Sequence, residues 1–205
     1  MAPGADWRGR PGAAYTRILV YAVDRTLRAS MFEWRDAVLR PPGGPVALAR
    51  VAERRDGELV RVYGRVQAQA RVEGALHRTS GVFRRLVFVV GGATYVHDRG
   101  VDFRLVDDSG QLVVRVGGGR MIVPRTELIE YPAHYLDGIE AFGLRGAGTV
   151  QACEHVLMDG ARVEVIGYRT SVVDDSGDPS GYRGTAQAIA LRSSPSQALL
   201  IVPMV

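Results

Sequence analysis

Cys153 and His155 are the nucleophile-and-base pair whose spacing could do chemistry. Two residues apart on a strand they point to one face, close enough for a thiolate and an imidazole to interact. Catalysis would also need a group to orient the base and donors for an oxyanion, and no elbow or loop around the pair offers them. The pair therefore reads first as a small buried cysteine and a structural histidine, and a thiol enzyme using Cys153 is the third-ranked function. His77, His97, His134 and His155 show no H-x-x-x-H spacing, and a single cysteine excludes an intrachain disulfide or a multi-cysteine zinc site. No metal and no cofactor is expected. Gly117-Gly118-Gly119-Arg120 lacks the G-K-[ST] ending of a phosphate-binding loop. Asp174 to Asp178 begins like a calcium loop, but Pro179 stands where its glycine belongs and no glutamate closes it.

The other chemistry in the chain is anion binding. Arg61, Tyr63 and Arg65 alternate with Val60, Val62 and Val66, so they share the wet face of one strand, and Arg84 and Arg85 begin a later one. Arginines neutralise phosphates and an exposed tyrosine stacks on a base. These five residues are the candidate nucleic-acid site, set against the plainer reading of a solvated strand face.

Such a site needs a scaffold of strands. Alternation or short apolar runs mark strands at about Arg85 to Val90, Thr94 to His97, Val101 to Val106, Gln111 to Val116, Thr149 to Glu154, Arg162 to Val172, Thr185 to Leu191 and Leu199 to Val202. The clearest hairpin turns at Asp107-Asp108-Ser109-Gly110, where short polar side chains accept backbone amides and glycine tolerates positive φ. The pattern D-G-x-x-V-x-V-x-G occurs at Asp56 to Gly64 and again at Asp159 to Gly167, and V-D-D-S-G occurs at Val106 to Gly110 and at Val173 to Gly177. Gly64 and Gly167 inside strands suit a bulge or the coiling that closes a barrel. The fold expected is mostly β: an OB-like or related closed or partly open barrel over residues 45–205, with residues 117–148 as irregular chain or a short helix between β segments, and two β subdomains joined around 117–148 as the alternative.

Ahead of it, residues 1–44 read as a Gly-, Pro- and Arg-rich arm followed by an amphipathic helix, about Ala13 to Arg40. Val20, Val23, Leu27, Met31, Trp34 and Val38 recur three or four apart, and Pro41-Pro42-Gly43-Gly44 stops the pattern. This stripe is the candidate protein-binding face; packing on the chain's own core is the plainer alternative.

At 205 residues the chain is long enough to bury a core without disulfide or metal staples. The apolar run Ile18 to Val23 is hemmed by Arg17, Asp24, Arg25 and Arg28, so no membrane span is expected and the reading is a cytoplasmic protein. All 26 basic residues are arginine. Coding bias explains this, and selection against lysine modification is the alternative. The net charge of +4 is scattered, a weak pointer to a polyanion.

From Gly57 to Gly167 the order of segments resembles the GIDE-type, or beside-a-membrane, domain of mitochondrial membrane ubiquitin ligases and many prokaryotic proteins. The segments are G-E-L-V-R-V-Y-G-R-V, R-L-V-F-V-V, F-R-L-V-D-D-S-G-Q-L-V-V-R-V and C-E-H-V-L-M-D-G-A-R-V-E-V-I-G. The family's RING cysteines and membrane helices are missing from this sequence, so the resemblance implies a soluble bacterial interaction module and not ligase activity. The first expectation for function is thus a non-enzymatic scaffold or adaptor that binds a protein partner, or further copies of itself, through the helix and barrel surface. The alternative is an OB-like single-stranded nucleic-acid-binding protein.

Overall fold

The computed structural model describes residues 15–21, 44–90, 93–123, 127–136, 148–173 and 187–204. Within them the chain forms β1 (Tyr15–Tyr21), β2 (Leu59–Ala68), β3 (Val72–Glu73), β4 (Ser80–Gly81), β5 (Phe83–Val90), β6 (Ala93–Gly100) and β7 (Phe103–Asp107). There follow β8 (Gly110–Val114), β9 (Arg120–Met121), β10 (Ile129–Pro132), β11 (Thr149–Leu157), β12 (Arg162–Val173), β13 (Gln187–Arg192) and β14 (Leu200–Pro203). Two short 3₁₀ segments, Leu48–Glu53 and Ala133–Leu136, complete the described elements. No helix among the described residues is long and apolar enough to cross a membrane.

The strands close a five-membered barrel. Around the ring β2 pairs with β7, β7 with β8, β8 with β13, β13 with β12, and β12 returns to β2; every pair is antiparallel except β8–β13. Alternation dictates the interior: Val60, Val62 and Val66 of β2 meet Phe103 and Leu105 of β7, Leu112 and Val114 of β8, Val163 and Val165 of β12, and Leu191 of β13. Leu48 and Val51 of the first 3₁₀ segment plug the same core. Burying each of these larger side chains contributes about 1.5–3 kcal/mol.

The repeated D-G-x-x-V-x-V-x-G motif explains the seam of the ring. Its copies lie in β2 and β12, pair antiparallel about Val62 and Val165, and place the valine of each copy, Val60 or Val163, opposite the last glycine of the other, Gly167 or Gly64. Gly57 and Gly160, both at positive φ, turn the chain into the two strands. Register runs unbroken through Gly64 and Gly167, so neither marks a bulge. They permit close approach instead: a Cβ on Gly64 would lie 2.7 Å from Leu105 Cγ, and one on Gly167 2.8 Å from Leu199 Cδ1.

A second sheet, ordered β1-β6-β5-β11-β10, is antiparallel throughout. Its strands interleave with those of the barrel along the chain, and Phe83 and Leu157 reach from it into the barrel core. Its own apolar cluster joins Leu76, Leu86, Phe88, Ala133, Leu136, Val150 and Ala152.

One expectation needs correcting. Tyr15–Tyr21, which falls within the expected Ala13 to Arg40 helix, is a strand on the edge of this sheet, and Val20 stands opposite Tyr95. Y-T-R-I-L-V-Y is a short apolar run that periodicity alone assigns to either structure, and the ladder offered by β6 decides for the strand. Val23, Leu27, Met31, Trp34 and Val38 lie outside the described residues, as does the second D-D-S-G turn at 174–177 with its calcium-loop resemblance.

Candidate nucleic-acid interface

The Asp107 turn is where local sequence fixes the rim of the barrel. Asp107 Oδ1 accepts the amides of Ser109 (2.7 Å) and Gly110 (2.9 Å) and the Ser109 hydroxyl (2.6 Å), while Oδ2 accepts the amide of Leu48 at 3.3 Å. Ser109 Oγ accepts the Ala49 amide at 3.1 Å. Partial burial works to raise the Asp107 pKa, but these donated hydrogen bonds outweigh it and hold the carboxyl below its ordinary range. The turn ties the β7–β8 hairpin to the 3₁₀ plug.

Beside it opens a cleft of about 480 Å³ lined by Tyr63, Gly64, Arg65, Val106, Asp107, Asp108, Arg162 and Met204. Tyr63 and Arg65 come from the outer face of β2, as alternation predicts, and Arg162 from the first position of β12. Arg65 and Arg162 are direct register partners across the β2–β12 seam and both are exposed. Neither side chain has a hydrogen-bond or ion-pair partner among the described residues. Opposed residues on one sheet face stand with Cβ atoms about 4.5–5.5 Å apart, so two like charges there oppose folding.

Arg61 has a different role. Its guanidinium donates to Glu164 Oε1 and to the Tyr63 hydroxyl and lies 5.3 Å from the Tyr63 ring centroid, which braces the tyrosine at the cleft wall. The hydrogen bond to Glu164 raises the pKa of Arg61 against the opposing effect of burial.

Arg84 and Arg85 do not join this surface. They belong to the second sheet and are 5 % and 6 % exposed, so they correct the expectation of a five-residue basic face. Arg85 forms a two-pronged pair with Asp98, Nε to Oδ1 at 2.7 Å and Nη2 to Oδ2 at 2.6 Å. Arg84 donates to the Glu73 carbonyl (3.1 Å) and to His97 Nδ1 (2.9 Å), and Glu154 stands 3.9 Å away. Glu154 in turn accepts the amides of Ala75, Leu76 and His77 at 2.6, 3.1 and 3.3 Å, fastening that loop over the sheet. Gly74 suits the close fit there, where a Cβ would sit 2.7 Å from Glu154 Oε2 and 3.2 Å from the Thr79 carbonyl oxygen. Burial and the neighbouring Arg84 cation push His97 down to about 4.

Cys153 and His155 share a face of β11, as their spacing predicts, with His155 opposite Arg85 and Cys153 opposite Val87. Burial pushes the Cys153 thiol up, and burial together with Arg85 pushes His155 down. Both shifts disfavour the thiolate–imidazolium pair that nucleophilic chemistry would use. Gly117-Gly118-Gly119 is a turn into β9: Gly118 has φ +75° and a Cβ on Gly119 would meet the Val116 carbonyl at 2.9 Å. No group of three or more potential metal ligands occurs among the described residues.

Arg162, Asp108 and Met204 are the cleft residues that single-strand patterns miss. The signal for Arg162 was available, since pairing the two D-G-x-x-V-x-V-x-G copies about their second valines, Val62 and Val165, sets Arg162 opposite Arg65. Comparison with known proteins finds no matching family model, no matching curated protein and no matching solved structure.

Proposed function

We propose that this chain is a non-enzymatic binding module and that its barrel cleft takes single-stranded nucleic acid. Numbered from β2 within the ring, the barrel strands run first-second-third-fifth-fourth, with the third and fifth parallel. That is the order of OB-type barrels, which bind oligonucleotides on the face of their second and third strands. Here the cleft lies instead across the first and fourth, β2 and β12, so its own residues carry the reading. The observation that carries the reading is the unpaired Arg65–Arg162 couple beside Tyr63, a cationic seat with a ring wall. Phosphates neutralise the couple and a base stacks on the ring.

Titration of a fluorescent oligothymidylate of about ten nucleotides, within the ordinary range for one such barrel, tests it. Affinity is expected to fall linearly in log–log terms with added salt. Tyr63→Ala is expected to weaken binding about tenfold or more, since stacking on an aromatic ring contributes about 1–3 kcal/mol per base. Absence of binding at low salt would end the reading.

A second reading, capture of a protein partner or of another copy, rests on the end strand β10, where Ile129 is 59 % exposed, and on nearby Tyr135, 46 % exposed. The resemblance to the GIDE-type domain supports the same reading. Oligomeric state with and without residues 1–40 tests its N-terminal part; unchanged assembly and unchanged partner capture would remove it.

A further inference from the structure

We propose that Arg65 and Arg162 form a two-forked clamp for a terminal phosphoryl group, so that the cleft engages the phosphorylated end of a single strand. This rests on the nucleic-acid reading and narrows it to the strand's end.

The geometry begins with the register. Arg65 and Arg162 are not neighbours on one strand but stand directly across the β2–β12 seam, both lining the same cleft. Their guanidiniums start from Cβ atoms about 5 Å apart, near enough to converge on one anion. A carboxylate in either position would remove the repulsion. Instead Glu164 holds Arg61, and both Asp107 oxygens accept hydrogen bonds from the β7–β8 turn and the 3₁₀ plug, which leaves Asp108 as the cleft carboxylate with no such bond among the described residues. Asp107 and Asp108 line the cleft from β7 and its turn, on the edge of β2 away from β12, so an anion is favoured toward the β2–β12 seam.

Oxygen count then selects the ligand. Each guanidinium presents a planar fork that pairs with two acceptor oxygens. An internal phosphodiester has only two unesterified oxygens to share between two forks, whereas a terminal phosphate has three and carries more charge. A terminal group therefore satisfies both arginines more fully. Tyr63, held by Arg61, stands beside the clamp and offers a ring surface to the adjoining base.

The test compares three oligothymidylates of equal length, one with a 5′-phosphate, one with a 3′-phosphate and one with hydroxyls at both ends, binding the full chain at low salt. One phosphorylated strand is expected to bind about tenfold tighter than the hydroxyl strand, the effect of added charge-assisted hydrogen bonds, and the tighter of the two identifies the end. Arg65→Gln and Arg162→Gln are each expected to abolish that preference, and Arg65→Lys, which keeps charge but loses the fork, to lose most of it. Thermal unfolding of each variant verifies that it is folded. Equal binding of all three strands by the unaltered protein overturns the clamp and leaves the nucleic-acid reading standing. A preference that survives in folded Arg65→Gln and Arg162→Gln also overturns the clamp. No binding of any strand overturns both.

Discussion

Two pairs of arginines in this molecule have opposite fates. In the second sheet Arg84 and Arg85 are sequence neighbours, point to opposite faces and are buried, Arg85 against Asp98, and Arg84 against the Glu73 carbonyl and His97 with Glu154 as a longer-range counter-charge that leaves its Nε without a hydrogen bond. In the barrel Arg65 and Arg162 are distant in sequence, share one face and are exposed, with no ion-pair partner among the described residues. The contrast separates what arginine does for a fold from what it offers a ligand. A buried guanidinium is tolerated only with its partners in place, and it stiffens the elements those partners sit on. An exposed like-charged pair opposes folding slightly, and its charge remains available to an anion.

The largest expected effect comes from breaking the buried pair. Asp98→Ala strands the Arg85 cation in a site where its side chain is 8 % exposed, and is expected to destabilise the protein by about 3–5 kcal/mol in urea unfolding. A loss below about 1 kcal/mol would mean that water reaches Arg85 and that the contrast is overstated.

Next is the acid limit set by His97, 6 % exposed and depressed to about 4 from 6.5. Arg84 beside it on β5, Arg99 on its own strand and Asp98 next to it are the charged groups acting on it, and only Asp98 favours the protonated ring. The folded state holds the ring neutral, so between pH 6.5 and about 4 the unfolded chain binds more protons. Stability from this group is complete above pH 6.5 and is lost as pH falls toward 4, by on the order of 3 kcal/mol in all. His97→Gln keeps an acceptor for Arg84 and is expected to flatten the slope of unfolding free energy against pH across that window. An unchanged slope would exclude His97 as its source. Smaller again, Gly64→Ala forces a Cβ to 2.9 Å from the Val106 carbonyl and is expected to cost about 1–3 kcal/mol, read as a lowered urea midpoint.

The same contrast explains what was legible in the sequence. The positions of β2, β5 to β8 and β11 to β14 follow from alternation and apolar runs, and so does the outward set Arg61, Tyr63, Arg65, because each depends on one strand's own pattern; the short β3, β4, β9 and β10 carry too few residues to show one. The burial of Arg84 and Arg85 was not legible: arginine ordinarily signals exposure, and only the β5–β6 register brings Asp98 opposite Arg85. Arg162 lay between these cases. No local pattern singles it out, yet the self-pairing motif carries the register that opposes it to Arg65. Tyr15–Tyr21 was misread because its partner strand lies far along the chain and a short apolar run carries too little period to decide.

The smallest expected change in stability is also the most discriminating, because its sign separates a ligand site from an ordinary surface. If Arg65 and Arg162 repel across the seam, Arg65→Gln removes a like-charge pair and raises stability by about 0.2–1 kcal/mol in low salt. Added salt screens the repulsion in the unaltered protein, so the gain is expected to shrink as ionic strength rises. The same substitution is expected to weaken oligonucleotide binding and to reduce the salt slope by about one unit, the loss of one phosphate contact. A surface arginine of no consequence would leave both binding and slope unchanged, and one that braced the fold would lower stability on replacement. Opposite signs in the two measurements, stability up and affinity down, are the result that assigns this pair to a ligand and not to the barrel.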